Sequence, residues 1–262
     1  MKLDLYQIDA FTDEIFKGNP ACVVPLEDWL PDEVLFQITR ENAVAETAFF
    51  VDHGTYIHLR WFTPEIEMDL CGHATLATAH VLHTILNYGR NTILFKTASG
   101  ELPVSIHKGM YTLDFPSRMP VPAALPEIIS RAVNKQPKHV LKSRDYILVY
   151  DTEQEVSDMV IDRQVFDQIN LDPGGLVVTA QGNTCDFVSR YFTPQSTILE
   201  DPVTGSAHCS LIPYWKEALD KVDMLAMQIS ERTGTLYCKD QGERVLISGK
   251  ARTYAVGTIW TK

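Results

Sequence analysis

The stretch Arg60-Trp61-Phe62-Thr63-Pro64 returns as Arg190-Tyr191-Phe192-Thr193-Pro194, 130 residues further on. Each copy runs into a glycine turn that opens a run of small residues, Cys71-Gly72-His73-Ala74 in the first and Thr204-Gly205-Ser206-Ala207 in the second. A third landmark, Ser99-Gly100-Glu101-Leu102, finds its counterpart in Thr233-Gly234-Thr235-Leu236. Three landmarks in one order, at nearly one offset of about half the 262 residues, read as one unit written twice. Two such units related by a pseudo-twofold axis would bring the glycine turns together and build one site from two half-sites.

The composition narrows the function. With 34 acidic and 23 basic residues the formal charge is −11, and no run of lysine or arginine forms a stripe that could follow a phosphate backbone, so nucleic acid is not an expected partner. No apolar stretch approaches the roughly 20 residues that span a bilayer, and Met1-Lys2-Leu3-Asp4-Leu5 alternates like a strand, unlike a signal peptide; no membrane partner and a cytoplasmic location are the expectations. The five cysteines are scattered and contain no CxxC pair, which suggests reduced thiols and neither a disulfide framework nor a zinc knuckle.

Working outward, Leu3 to Phe11 alternates as a strand, Pro31 to Asn42 has helical spacing, and Glu46 to Val51 returns to extended structure, which puts Glu46 at a helix-to-strand junction. Ala74 to Leu86 is a helix with apolar or small residues on nearly all sides, one that needs burial. Pro116 to Pro126 holds four prolines and reads as the linker. After it the order repeats, with Ser206 to Leu219 as the second central helix, which Pro213 should kink or shorten. The expected architecture is α/β: two pseudo-symmetric lobes, 1–117 and 118–262, each a mixed, mainly antiparallel sheet around a central helix, with the strand near 252–262 able to complete the first lobe and the site in the cleft between them.

Gly72 and Gly205 each precede a helix, whose first turn leaves backbone N–H groups unpaired and concentrates partial positive charge. As a pair they would clamp a small carboxylate. His73 lies on the first turn of its helix, where the dipole should keep the imidazole neutral, and Cys71 beside it is either a tuned thiolate or a small buried hydrophobe. Asp201 precedes the second glycine turn, and Ser206 offers a hydroxyl beside its amides; both residue types also start ordinary turns and cap helices. Glu46 is a lone carboxylate among Ala45, Thr47, Ala48 and Phe49-Phe50, a setting in which desolvation raises the pKa and favours acid–base use, unless it simply faces solvent.

Asp9-Ala10-Phe11-Thr12, Gly18-Asn19-Pro20, Glu46-Thr47-Ala48-Phe49, the first Arg-Trp-Phe-Thr-Pro string, Asp69-Leu70-Cys71-Gly72-His73-Ala74-Thr75 and Glu200-Asp201-Pro202-Val203-Thr204-Gly205-Ser206-Ala207 together resemble the PhzF-like isomerases of phenazine biosynthesis, over essentially the whole chain. The resemblance implies the diaminopimelate epimerase-like fold, a homodimer, and a proton shift on a small, unsaturated, cyclic carboxylic acid that needs no cofactor and no metal. It implies Glu46 as the acid–base residue and His73, Asp201 and Ser206 as its catalytic companions, with Asn19, Cys71, Gly72, Thr204 and Gly205 around the substrate. The related epimerases use two opposed thiols; here only Cys71 matches, and Thr204 replaces the second, a pairing similar to that of hydroxyproline dehydratases in the proline racemase group. That dehydratase or epimerase reading, using Cys71 and Thr204, stands as one alternative, and a catalytically silent binding or adaptor protein as another.

Overall fold

Strands form where apolar side chains alternate, and helices where the period changes to 3.6. In the computed structural model, which describes residues 1–261, the first compact unit holds Met1–Phe115 and the chain from Ile247 onward, and the second holds Pro116–Leu246. The first unit runs β1 (Lys2–Ala10), β2 (Asn19–Leu26), α1 (Asp32–Asn42), β3 (Glu46–Asp52), β4 (Ile57–Phe62), β5 (Glu67–Met68), α2 (Gly72–His80), β6 (Thr92–Thr97), β7 (Gly100–His107) and β8 (Met110–Pro116). The second runs β9 (Val121–Pro122), α3 (Glu127–Ala132), β10 (His139–Lys142), β11 (Tyr146–Val149), α4 (Glu153–Ser157), α5 (Arg163–Phe166), β12 (Leu176–Gln181), β13 (Phe187–Phe192), β14 (Glu200–Asp201), α6 (His208–Leu219), β15 (Asp223–Gln228), β16 (Gly234–Asp240) and β17 (Arg244–Gly249). The unit boundary falls inside β17, and β18 (Ala251–Trp260) pairs antiparallel with β1, so the last strand belongs to the first unit.

The two units share one strand wiring. In the first, β2 and β3 are parallel, β3 and β4 antiparallel, and β4 carries both the short antiparallel β5 and the parallel β6, which turns back into antiparallel β7. In the second, β11 and β12 are parallel, β12 and β13 antiparallel, and β13 carries antiparallel β14 and parallel β15, which turns back into β16. Side chains repeat as well. Arg60 on β4 grips Glu67 with two bonds of 2.7 Å and lies over Phe62; Arg190 on β13 grips Glu200 at 2.7 and 2.8 Å and lies over Phe192. The paired glutamate is fixed by register, since Phe62 opposes Glu67 and Phe192 opposes Glu200. Duplication therefore extends from the sequence strings to the ion pairs that pin the short strands β5 and β14.

Helices pack against the strands of each unit. In the first unit Val24, Phe49, Val51 and Phe62 pack with Leu35 and Ile38 of α1, and every residue of α2 is buried. The threonines of α2 avoid unpaired hydroxyls by bonding one turn back, Thr75 to the Cys71 carbonyl (2.5 Å) and Thr78 to the Ala74 carbonyl (2.8 Å). The long helix expected to reach Leu86 is α-helical only to His80; Val81–Ile85 widens into a π turn, in which Leu86 N bonds to Val81 O and the Thr84 hydroxyl takes the His80 carbonyl.

In the second unit Leu176, Val178, Val188 and Phe192 pack with residues of α3, α4 and α5, while Trp215 of α6 stacks on Phe187 and donates to Thr179 Oγ1 at 3.0 Å. The expected kink at Pro213 does not end α6, which continues to Leu219. Proline has no N–H for the Cys209 carbonyl, and the Arg118 backbone N–H takes that carbonyl instead, at 2.9 Å.

Candidate active site

The chain places Glu46 by stopping a helix and starting a strand. Ala43, in the left-handed region at φ 52°, ends α1, and Glu46 is the first residue of β3, opposite Ala21 of parallel β2. Asn19 opens β2 and is fully buried; Cys71 caps α2 with extended backbone, and His73 follows in its first turn. Residues 19, 46, 71 and 73 thereby converge within the first unit. Glu46 Oε2 lies 3.1 Å from His73 Nε2, and on the other side of the ring Nδ1 lies 3.1 Å from Asn19 Nδ2 and 3.6 Å from Cys71 Sγ. Glu46 Oε2 and His73 Nε2 are both buried and have no hydrogen-bond partner elsewhere among the described residues, while the Glu46 side chain as a whole keeps 13% exposure. One carboxylate oxygen is thus held against the imidazole and the rest of the group is reachable.

The charge of His73 differs from the sequence expectation. Burial and the helix terminus favour a neutral ring, but the Cys71 sulfur and the Glu46 carboxylate flank it, and the outcome is a pKa raised well above the ordinary histidine value. Asn19 suits either state. As placed, its amide donates to a lone pair on Nδ1, which leaves the ring proton on Nε2 toward Glu46; turned over, the amide carbonyl would accept from an imidazolium. Cys71 follows its buried-hydrophobe reading: burial pushes the thiol up, against the pull of His73 and of the Ala74 amide. The lone carboxylate of the sequence reading has in fact a buried partner.

Glu46, Cys71 and His73 offer three atoms within 4.8 Å of one another, enough in residue type to hold a metal ion. Their geometry is that of a relay. The carboxylate and the sulfur address opposite nitrogens of one ring, whose lone pairs diverge, so the three do not converge on one coordination centre.

In the second unit Asp201 ends β14, and Val203-Thr204-Gly205 is buried ahead of α6. The Thr204 hydroxyl donates to Asp201 Oδ2 in a short hydrogen bond. Gln228 of β15, 1% exposed, accepts from Thr204 N (2.8 Å) and donates to the Asp201 carbonyl (2.7 Å) and to Thr204 Oγ1 (3.2 Å). His208 donates from Nδ1 to the Thr204 carbonyl (2.9 Å), and burial lowers its pKa to about 4, so it is a neutral structural histidine. The helix starts later than expected. Gly205-Ser206-Ala207 form a tight turn with His208 N on Gly205 O and Cys209 N on Ser206 O, so half-buried Ser206 stands in the turn before α6 instead of in its first turn.

Registers match the two units residue by residue. Counting from the matched glutamates Glu67 and Glu200, Cys71 corresponds to Thr204 and Gly72 to Gly205. Thr47 opposes Phe62 and Leu176 opposes Phe192, so the position that matches Glu46 is Gly175. A Cβ there would lie 2.6 Å from the Tyr191 ring carbon Cζ and 2.7 Å from the Phe192 carbonyl, while Gly175 N donates to buried Asp145. The second half has no room for a carboxylate where the first half carries one. Sequence reasoning missed Gln228 and Gly175. Gln228 left a signal, since it shares the buried parity of Met224 and Ala226 in β15; the meaning of Gly175 depends on strand register and left none.

Comparison with known proteins agrees with this architecture. The family model described as phenazine biosynthesis-like protein matches residues 8–257. The chain is 46% identical over 260 residues to an uncharacterized isomerase of Pseudomonas aeruginosa, covering 99% of both. The crystal structure of a PhzF family protein from Enterococcus faecalis superposes with a TM-score of 0.94 at 42% identity, covering 100% of both chains. A hydroxyproline epimerase from Agrobacterium vitis superposes at 0.66 with 9% identity, covering 98% of this chain and 92% of that one, which is a likeness of fold alone. The duplicated wiring is thus the diaminopimelate epimerase-like fold, and the chain belongs to the phenazine biosynthesis-like family, a family of isomerases.

Proposed function

We propose that the protein is a cofactor-independent isomerase that moves a proton on a small, unsaturated, cyclic carboxylic acid, with Glu46 as the group that removes the proton and returns it. The observation that carries this is the pairing of Glu46 Oε2 with His73 Nε2 at 3.1 Å in a carboxylate that keeps part of its surface reachable. His73 braces one oxygen while the other meets the substrate, and the raised pKa of the imidazole lets it balance the charge that Glu46 gains and loses. Gly175 at the matching position supports a single shuttle over two opposed bases.

Asp201, Thr204, Gly205 and Ser206 are proposed to orient the same substrate, with the amides of the two glycine turns holding its carboxylate; the support is the sequence repeat and the matched place of each turn in its own unit. The use of Cys71 and Thr204 as an acid–base pair is disfavoured, since the Cys71 thiol is raised by burial and the Thr204 hydroxyl is engaged as a donor to Asp201. A homodimer belongs to the proposal as well. Exposed Tyr254, Val256 and Trp260 on β18 supply apolar surface for a second copy, and sedimentation at micromolar concentration tests it. A cytoplasmic location is carried with it; in the described residues no helix is long and apolar enough to cross a membrane.

The test is solvent deuterium exchange into a panel of unsaturated cyclic acids, followed by NMR. Glu46→Gln is expected to cut exchange by about 10²- to 10⁴-fold with binding retained. Unchanged exchange in that variant removes Glu46 as the base, and ligands that bind without any exchange in the wild type favour the adaptor reading.

A further inference from the structure

The two halves diverge most at the turn that follows β5 and β14. In the first half Cys71 meets His73, and Thr97, the β6 residue that matches Gln228, turns away to bond the Gly100 carbonyl at 3.0 Å. In the second half the matching Gln228 reaches back to the turn with every polar atom of its amide. A buried glutamine on an apolar strand face is costly unless fully paired, and here all its bonds go to Asp201 and Thr204.

Those bonds have only one consistent direction. Thr204 N–H can only donate, so the amide oxygen of Gln228 faces it and the amide nitrogen faces the Asp201 carbonyl and Thr204 Oγ1. Having received a hydrogen bond from that nitrogen, the Thr204 hydroxyl spends its single proton on Asp201 Oδ2. Oδ2 is then an acceptor and carries no proton.

We propose that Gln228 is a positioning residue which, by donating to Thr204 Oγ1, fixes the Thr204 hydroxyl as a donor to Asp201 Oδ2 and keeps that oxygen an acceptor. The role in turnover rests on Asp201 acting in the proton shift proposed above; the hydrogen-bond order itself belongs to the resting protein. Thr204, which the epimerase analogy would make a base, thereby serves as a donor to the neighbouring carboxylate.

The experiment is a carboxyl ¹³C NMR titration of the full-length protein without substrate, with the Asp201 signal identified by its loss in Asp201→Asn. Thr204→Val is expected to raise the Asp201 midpoint by about one to two pH units, the worth of one hydrogen bond to a charged group. Thr204→Ser should hold the wild-type midpoint, and Gln228→Met should raise it by less than Thr204→Val. A midpoint unmoved by Thr204→Val, or by Gln228→Met, overturns the proposal. If Thr204→Val does not fold, Thr204→Cys, with its weaker donor, must move the midpoint in the same direction. Neutron diffraction from deuterium-exchanged wild-type crystals supplies a check free of variants: deuterium on Thr204 Oγ1 directed at Oδ2 is expected, and deuterium on Oδ2 refutes the order. Absence of isomerase activity would leave these readings intact, so the two proposals fail separately.

Discussion

Replacing each of the duplicated arginines by methionine should not cost the same. Arg190 is 14% exposed, holds Glu200 with two bonds, and also donates to the carbonyls of Val156, Ser157 and Met159 at 2.9 to 3.3 Å, closing the end of α4. Removing it leaves a carboxylate of 23% exposure without its cation and takes the guanidinium donor from three carbonyls, of which Val156 keeps the Met159 N–H. Loss of one partner from a buried pair costs about 3–5 kcal/mol, and the residual exposure of Glu200 places Arg190→Met near the lower end, about 3 kcal/mol. Arg60 is 19% exposed, and its acidic partners Glu67 and Asp32 are 33% and 58% exposed, so solvent screens what is left behind. Arg60→Met should cost about 1–2 kcal/mol, part of it from lost packing over Trp29 and Phe62. Urea denaturation followed by tryptophan fluorescence and by circular dichroism gives both values, provided the m-values match the wild type. Equal costs, or a larger cost at Arg60, would refute the claim that burial and the carbonyl contacts distinguish the two copies.

Gly175→Ala should destabilise the protein by about 1–3 kcal/mol, because the added methyl meets Tyr191 and a backbone carbonyl; a melting temperature equal to wild type would show that the second half could accommodate a side chain there. The raised pKa of His73 has a definite sign in stability. The folded state holds the proton more tightly than the unfolded chain, so the contribution is fully present below about pH 6.5 and declines as pH rises toward the folded midpoint. The stability gap between wild type and His73→Gln should therefore narrow from pH 6 upward, and a gap that widens contradicts a proton-retaining His73. Burial of Cys71 predicts slow reaction with a thiol-specific disulfide reagent in native protein at pH 7, accelerating only on unfolding; immediate labelling at that site would mean an accessible thiolate.

Much of the first unit was legible because its signals are local. The break after α1 that sets Glu46 at the head of β3, the small-residue face that buries α2, and the strings that bring Cys71 and His73 together all lie within short windows. α6 reaches Leu219 as the sequence suggests, but the shortening expected at Pro213 does not occur, since proline propensity acts locally while the donor that satisfies Cys209 comes from Arg118, far away in the chain. The pKa direction of His73 was misjudged for a related reason: the dipole of its own helix can be read from the sequence, but the contacts with the Cys71 sulfur and with the Glu46 carboxylate of β3, which together raise it, are set by the fold.

The sequence by itself determined that the protein is one unit written twice, which residues mark each copy, and the family to which those marks belong, because duplicated strings survive as neighbouring letters. Only the tertiary structure decided how the copies had become unlike. Gly175 answers Glu46, Thr204 answers Cys71, and Gln228 supplies a brace that Thr97 does not, and each correspondence depends on which strand lies beside which and in what register. Hydrogen-bond direction, desolvation and the room for one Cβ are set by residues far apart in sequence, and it is at those contacts that the chemistry of the two halves parts.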